Sequence, residues 1–66
     1  MEEKVYTIPE VATYLKLSKS KVYYLVQTRK IPHLRIGRNV RIREVDLKKW
    51  MDELLEEQRA VYQPAL

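Results

Sequence analysis

The period of the apolar residues changes twice along this chain, and that change limits the folds open to it. Ile8, Val11, Ala12 and Leu15 recur at i, i+3, i+4 and i+7, the spacing of one buried helical face. Val22, Leu25 and Val26 hold a helical spacing again. Leu34, Ile36, Val40 and Ile42 then fall into alternation, the period of a strand. From Leu47 the helical stripe returns through Trp50, Met51 and Leu54. The order read from this is helix, helix, basic hairpin, helix: mostly α, with a small two-stranded β-hairpin. At 66 residues the whole chain, 1–66, reads as one small domain. A core of this size is marginal, because a chain of roughly 60 residues buries only about 60% of its unfolded surface.

Local signals set the boundaries. Thr7 is placed to cap a first helix, about Ile8 to Leu15, and Glu10 three residues on completes a capping box. Pro9 fits a first turn, where its missing N–H has no partner to lose. Ser18 is the cap of a second helix, Lys19 to about Thr28, which turns Ser20, Tyr24 and Gln27 away from the core. Two short helices joined by Lys16-Leu17-Ser18 form a helix-turn-helix pattern, although an ordinary helical hairpin has the same pattern. Ile31-Pro32 ends the second helix. In the hairpin, Ile36 is set opposite Val40 and Leu34 opposite Ile42, with Gly37-Arg38-Asn39 as a three-residue loop. A two-residue loop is rejected as mixing the apolar and basic faces. The chosen register puts Arg35 opposite Arg41, and His33 opposite Arg43, on the outer face. Like charges facing each other are destabilising, and bound phosphates would relieve them. Glu44 and Asp46 open a third helix, where the helix dipole favours acids. Trp50, on the apolar stripe, reads as a core anchor. Leu55, Val61, Tyr62 and Leu66 lie off that stripe and could frame a small protein-contact surface.

Charge supplies the functional signal. Between Val11 and Arg43 there is no Asp or Glu, but there are nine bases: Lys16, Lys19, Lys21, Arg29, Lys30, Arg35, Arg38, Arg41 and Arg43. The formal net charge of +4 conceals this middle segment, because both ends are net acidic. A single-sign field of this size repels itself until a polyanion neutralises it, and nucleic acid is the commonest such partner.

The chain contains no Cys and one His. No thiolate nucleophile or zinc-thiolate site is available, and no nucleophile–base pair, metal cluster or glycine-rich phosphate loop is present in the sequence. An enzyme, a metal and a cofactor are therefore not expected. No apolar run approaches the ~20 residues of a membrane span, and no signal peptide opens the chain. The expected location is the cytoplasm, associated with the nucleoid.

Further residues point to a family. Tyr6-Thr7-Ile8-Pro9-Glu10-Val11-Ala12, Tyr14-Leu15, Leu17-Ser18-Lys19-Ser20 and Val22-Tyr23 are followed by Lys30-Ile31-Pro32, Ile36-Gly37-Arg38, Arg41-Ile42-Arg43 and Asp46-Leu47 through Trp50. Together these resemble the excisionase-like winged-helix DNA-binding domains, relatives of the MerR-type domain, over about Tyr6 to Met51. The sequence departs from the family pattern at Lys21 and Tyr24, so the base preference of relatives does not carry over. The resemblance implies a winged helix-turn-helix, DNA binding, and use in phage, plasmid or transposon biology.

On this reading the second helix enters the major groove, with Ser20, Lys21, Tyr24 and Gln27 facing base edges. Ser18, Lys19 and Tyr23 contact phosphates from the helix, and Arg35, Arg41 and Arg43 from the wing. Arg38 at the wing tip reaches the adjacent minor groove. One helix and one wing make few base contacts, so specific function needs several copies on adjacent sites or a partner protein. The excisionase resemblance implies cooperative self-association on DNA, DNA bending and recruitment of an integrase, with the tail Tyr62 to Leu66 as a contact. Two alternatives remain: a small transcriptional regulator, and a protein-interaction module whose basic face binds an acidic partner or RNA.

Overall fold

The structure is a computed structural model and describes residues 3–61. Three helices and a small antiparallel sheet form a winged helix-turn-helix. Strand β1 (Val5–Tyr6) leads into α1 (Ile8–Leu15), and α2 (Lys19–Gln27) follows a short turn. Then come β2 (Leu34–Ile36), β3 (Asn39–Arg43) and α3 (Glu44–Val61). The tail Tyr62–Leu66, expected to make partner contacts, lies outside the described residues.

The caps form as the sequence predicts. Glu10 N–H donates to Thr7 Oγ1 at 3.3 Å, and Thr7 N–H donates to Glu10 Oε1 at 2.9 Å. Ser18 Oγ accepts from Lys21 N–H at 3.1 Å. The C-termini of α1 and α2 are less ordinary. Leu17 N–H donates to Ala12 O and Lys16 N–H to Thr13 O. Lys30 N–H donates to Leu25 O and Arg29 N–H to Val26 O in the same pattern. Both are Schellman turns, which place one residue in the left-handed region, usually a glycine. Here the residues are Lys16 and Arg29, each with φ 57°.

Nine apolar side chains make the core: Ile8, Val11, Ala12, Val22, Leu25, Val26, Ile31, Ile42 and Leu47. Tyr6, Leu15, Val40 and Trp50 pack around it. Of α3 only Leu47 is fully inside. Eighteen residues make a helix of about 27 Å, along which Met51 and Leu55 stay exposed. Trp50 packs on the core from its edge and donates from Nε1 to Lys30 O at 2.8 Å.

The hairpin register differs from the expectation by one residue. Leu34 pairs with Arg41, Arg35 with Val40 and Ile36 with Asn39. The connection is the two-residue turn Gly37-Arg38, with Gly37 at φ 61°. A positive φ at the first central position suits a tight hairpin turn. Shifting a register by one residue flips every side chain of a strand to its other face. Leu34 and Ile36 are therefore exposed, at 46% and 61%, instead of in the core. The expected Arg35–Arg41 and His33–Arg43 oppositions do not occur. Arg41 faces Leu34, and Arg43 pairs with Val5 on the other edge of β3. Strand β1, too short to show a period, had no counterpart in the sequence reading. It makes β3 the central strand, and this explains how Ile42 is fully buried while β2 is not.

The join between β1, β3 and α3 is polar. Glu44 N–H donates to Lys4 O at 2.9 Å, and Tyr6 Oη donates to Glu44 Oε2. That bond pushes the Tyr6 hydroxyl up to about 12 and holds the Glu44 carboxyl below its ordinary range.

Candidate nucleic-acid interface

Helix α2 sorts its residues cleanly. Val22, Leu25 and Val26 are buried, while Lys19, Ser20, Lys21, Tyr23, Tyr24 and Gln27 are exposed. The buried set uses the helical period to lock one face on α1, so the polar set must project outward. All four residues expected at base edges, Ser20, Lys21, Tyr24 and Gln27, share this exposed surface. Ser18 serves as the N-cap, so its hydroxyl is already engaged with Lys21 N–H.

The wing approaches α2 through a crevice of about 180 Å³ lined by Thr7, Pro9, Tyr23, Arg38, Asn39 and Arg41, among others. The crevice places Tyr23 of α2 beside two wing arginines. Arg38 and Arg35 are exposed, and Arg41 is half-buried. Glu10 is also near this end, and Arg41 helps to lower its pKa after the dominant hydrogen bonds from Thr7. A stretch without acids in sequence thus acquires an acidic neighbour in space beside Arg41.

The wing arginines divide into two kinds. Arg43 donates to Asp46 through Nε at 2.6 Å and through a terminal nitrogen at 2.9 Å, and sits 3.4 Å from Glu3. Its charge is locally neutralised, and Asp46 is held below the usual carboxylate range by the same bond. The other eight cations of the middle segment make no ion pair among the described residues. Evolving a fold with eight uncompensated cations on one segment is costly in self-repulsion.

Sequence reasoning missed Lys30. It lies beyond the end of α2, yet its Nζ is 5.3 Å from the centre of the Tyr24 ring, as is that of Lys21. Its advance signals were its membership of the run of bases and its place in Lys30-Ile31-Pro32; its position depends on the Schellman turn and on Trp50.

Known proteins give a consistent picture. Residues 5–55 match the helix-turn-helix domain family. The chain is also 47% identical over 49 residues to a Bacillus subtilis (strain 168) protein carrying the name "Uncharacterized protein YvgK". That match covers 74% of this chain but 16% of the relative, so the chain spans about a sixth of that protein's length. No solved structure gives a significant match. The family match takes in both helices, the wing and the first part of α3, and the chain belongs to the helix-turn-helix domain family as a winged helix-turn-helix DNA-binding domain.

Proposed function

We propose that the protein binds double-stranded DNA with a sequence preference, in the manner of an excisionase. Helix α2 lies in the major groove, with Ser20, Lys21, Tyr24 and Gln27 toward base edges. The major groove admits one helix and displays a full donor and acceptor code. Ser18, Lys19 and Tyr23 flank the helix as phosphate contacts, joined by Arg35 and Arg41 from the wing. Arg38 at the turn reaches the adjacent minor groove. Arg43 is left out of this surface, because Asp46 and Glu3 already occupy its guanidinium. The observation that carries the proposal is the set of eight cations from Lys16 to Arg41, several of them exposed on α2 and the wing, that make no ion pair among the described residues.

The role proposed is that of an accessory factor for site-specific recombination. Several copies associate on adjacent sites, bend the DNA and engage an integrase. The exposed stripe of Met51 and Leu55 on α3 offers a surface for protein contact. A small transcriptional regulator of a mobile element is the second reading, supported by the same fold. Direct-repeat sites with bent DNA favour the first; a palindromic site bound by a dimer favours the second.

Fluorescence anisotropy of a labelled mixed-sequence duplex tests the DNA reading. Binding should weaken log-linearly with salt, with a slope of roughly −3 to −4 for the cations Lys19, Arg35, Arg38 and Arg41. No binding at low salt would overturn it and leave an acidic protein partner as the alternative.

A further inference from the structure

Tyr24 stands on the outward side of α2, 47% exposed. Two ammonium groups nevertheless converge on it. The Nζ atoms of Lys21 and Lys30 each lie 5.3 Å from the ring centre, within the range of a cation–π contact. Lys21 is a neighbour one turn earlier in the helix. Lys30 is brought back by the reversal at Arg29, and its peptide groups are held on both sides. Its N–H donates to Leu25 O at 2.8 Å, and its carbonyl accepts from Trp50 Nε1 at 2.8 Å. Helix α3 thus fixes where the side chain starts, and Tyr24 fixes where it ends. Lys30 also borders a crevice with Glu53 and Glu57, but pairs with neither.

The two ammoniums can be no farther apart than twice their distance to the ring. Two like charges held this way repel each other, and the face of the ring compensates only in part. An anion would complete the arrangement. One strand of duplex DNA presents a phosphate about every 3.4 Å along its axis, so neighbouring phosphates suit such a pair.

We infer that Tyr24 is a positioning residue, a platform that gathers Lys21 and Lys30 into a two-cation clamp on the phosphates of one DNA strand at the edge of the major groove. This rests on the DNA reading above. It adds Lys30 to the interface, moves Lys21 from a base edge to a backbone phosphate, and makes the contribution of Tyr24 one of holding cations rather than reading a base.

The test is the salt dependence of duplex binding for the wild type, Lys30→Gln, Tyr24→Leu and Tyr24→Phe. Lys30→Gln should reduce the magnitude of the slope by about one. Tyr24→Leu should reduce it by one to two, and Tyr24→Phe, which keeps the ring, should retain the wild-type slope. In the free protein, the ε-methylene protons of Lys21 and Lys30 should show ring-current shifts that Tyr24→Leu abolishes and Tyr24→Phe preserves. A wild-type slope in Tyr24→Leu, with wild-type binding intact, overturns the clamp and leaves the DNA reading standing. If the wild type itself fails to bind at low salt, both fall together.

Discussion

Replacing Arg29 with glycine should make the domain more stable than replacing it with alanine. Arg29 sits at φ 57°, in the left-handed region, where the Cβ of an L-residue crowds the following carbonyl. That conformation costs roughly 1–2 kcal/mol for a non-glycine residue, and glycine removes the cost. Glycine also gives the unfolded chain more freedom, which offsets about 0.5–1 kcal/mol. The net gain is about 0.5–1 kcal/mol. The hydrogen bonds of the turn run through the backbone, from Arg29 N–H to Val26 O and from Lys30 N–H to Leu25 O, so neither substitution removes them. The side chain is exposed and makes no ion pair among the described residues. Alanine and glycine lose the same charge near the helix C-terminus, so their difference isolates the backbone. For a domain of this size the glycine variant should melt roughly 2–8 °C above the alanine variant, as followed by circular dichroism. Equal or inverted melting temperatures would refute the strain argument. Lys16, in the same position after α1, should behave alike. If both wild-type cations also reach phosphates, each glycine variant should lose DNA affinity while gaining stability, the pattern expected where strain is kept for function.

The hairpin register can be checked by stability alone: Ile36→Ser should cost no more than about 0.5 kcal/mol, because Ile36 is exposed, whereas Ile42→Ala should cost about 2–5 kcal/mol. A cost above about 2 kcal/mol for Ile36→Ser in chemical denaturation would restore the register that buries it. Glu10, Glu44 and Asp46 are held below their ordinary pKa values in the fold, so their contribution is present above about pH 4.5 and is lost as pH falls through the folded values. Tyr6 runs the other way: its contribution is full below pH 10.0 and is lost as pH rises through about 12. Tyr6→Phe should remove the alkaline loss and flatten part of the acid one in a series of urea titrations; unchanged profiles would mean the Tyr6–Glu44 bond has no role. For recognition, Arg38→Ala should weaken all duplexes and lower the salt slope by about one, while Gln27→Ala should alter sequence preference at nearly constant slope. Identical behaviour of the two variants in anisotropy titrations would erase the division between wing and recognition helix.

Local interactions account for what was legible in the chain. The caps at Thr7 and Ser18 depend on residues three apart, and the buried faces of α1 and α2 on spacings within a single helix, so both could be read directly. The same holds for the outward set Ser20, Lys21, Tyr24 and Gln27, because burying Val22, Leu25 and Val26 leaves them no other direction. The hairpin was legible as a hairpin but not in register. The apolar alternation of Leu34, Ile36, Val40 and Ile42 favours a three-residue loop and a core face that β2 never reaches, so it argues against the two-residue turn that forms.

Short-range periodicity and composition are therefore enough to set the helical order, the wing and the concentration of basic charge. Which cations find an acidic partner depends on how the elements pack. Arg43 is neutralised by Asp46 because β3 runs straight into α3, and Glu3 joins them because β1 adds to the same sheet. Lys30 reaches Tyr24 because a left-handed residue turns the chain back and Trp50, twenty positions later, holds its carbonyl. The contacts of Arg43 with Glu3 and of Lys30 with Trp50 join residues far apart in the chain, and their geometry exists only once the core has closed.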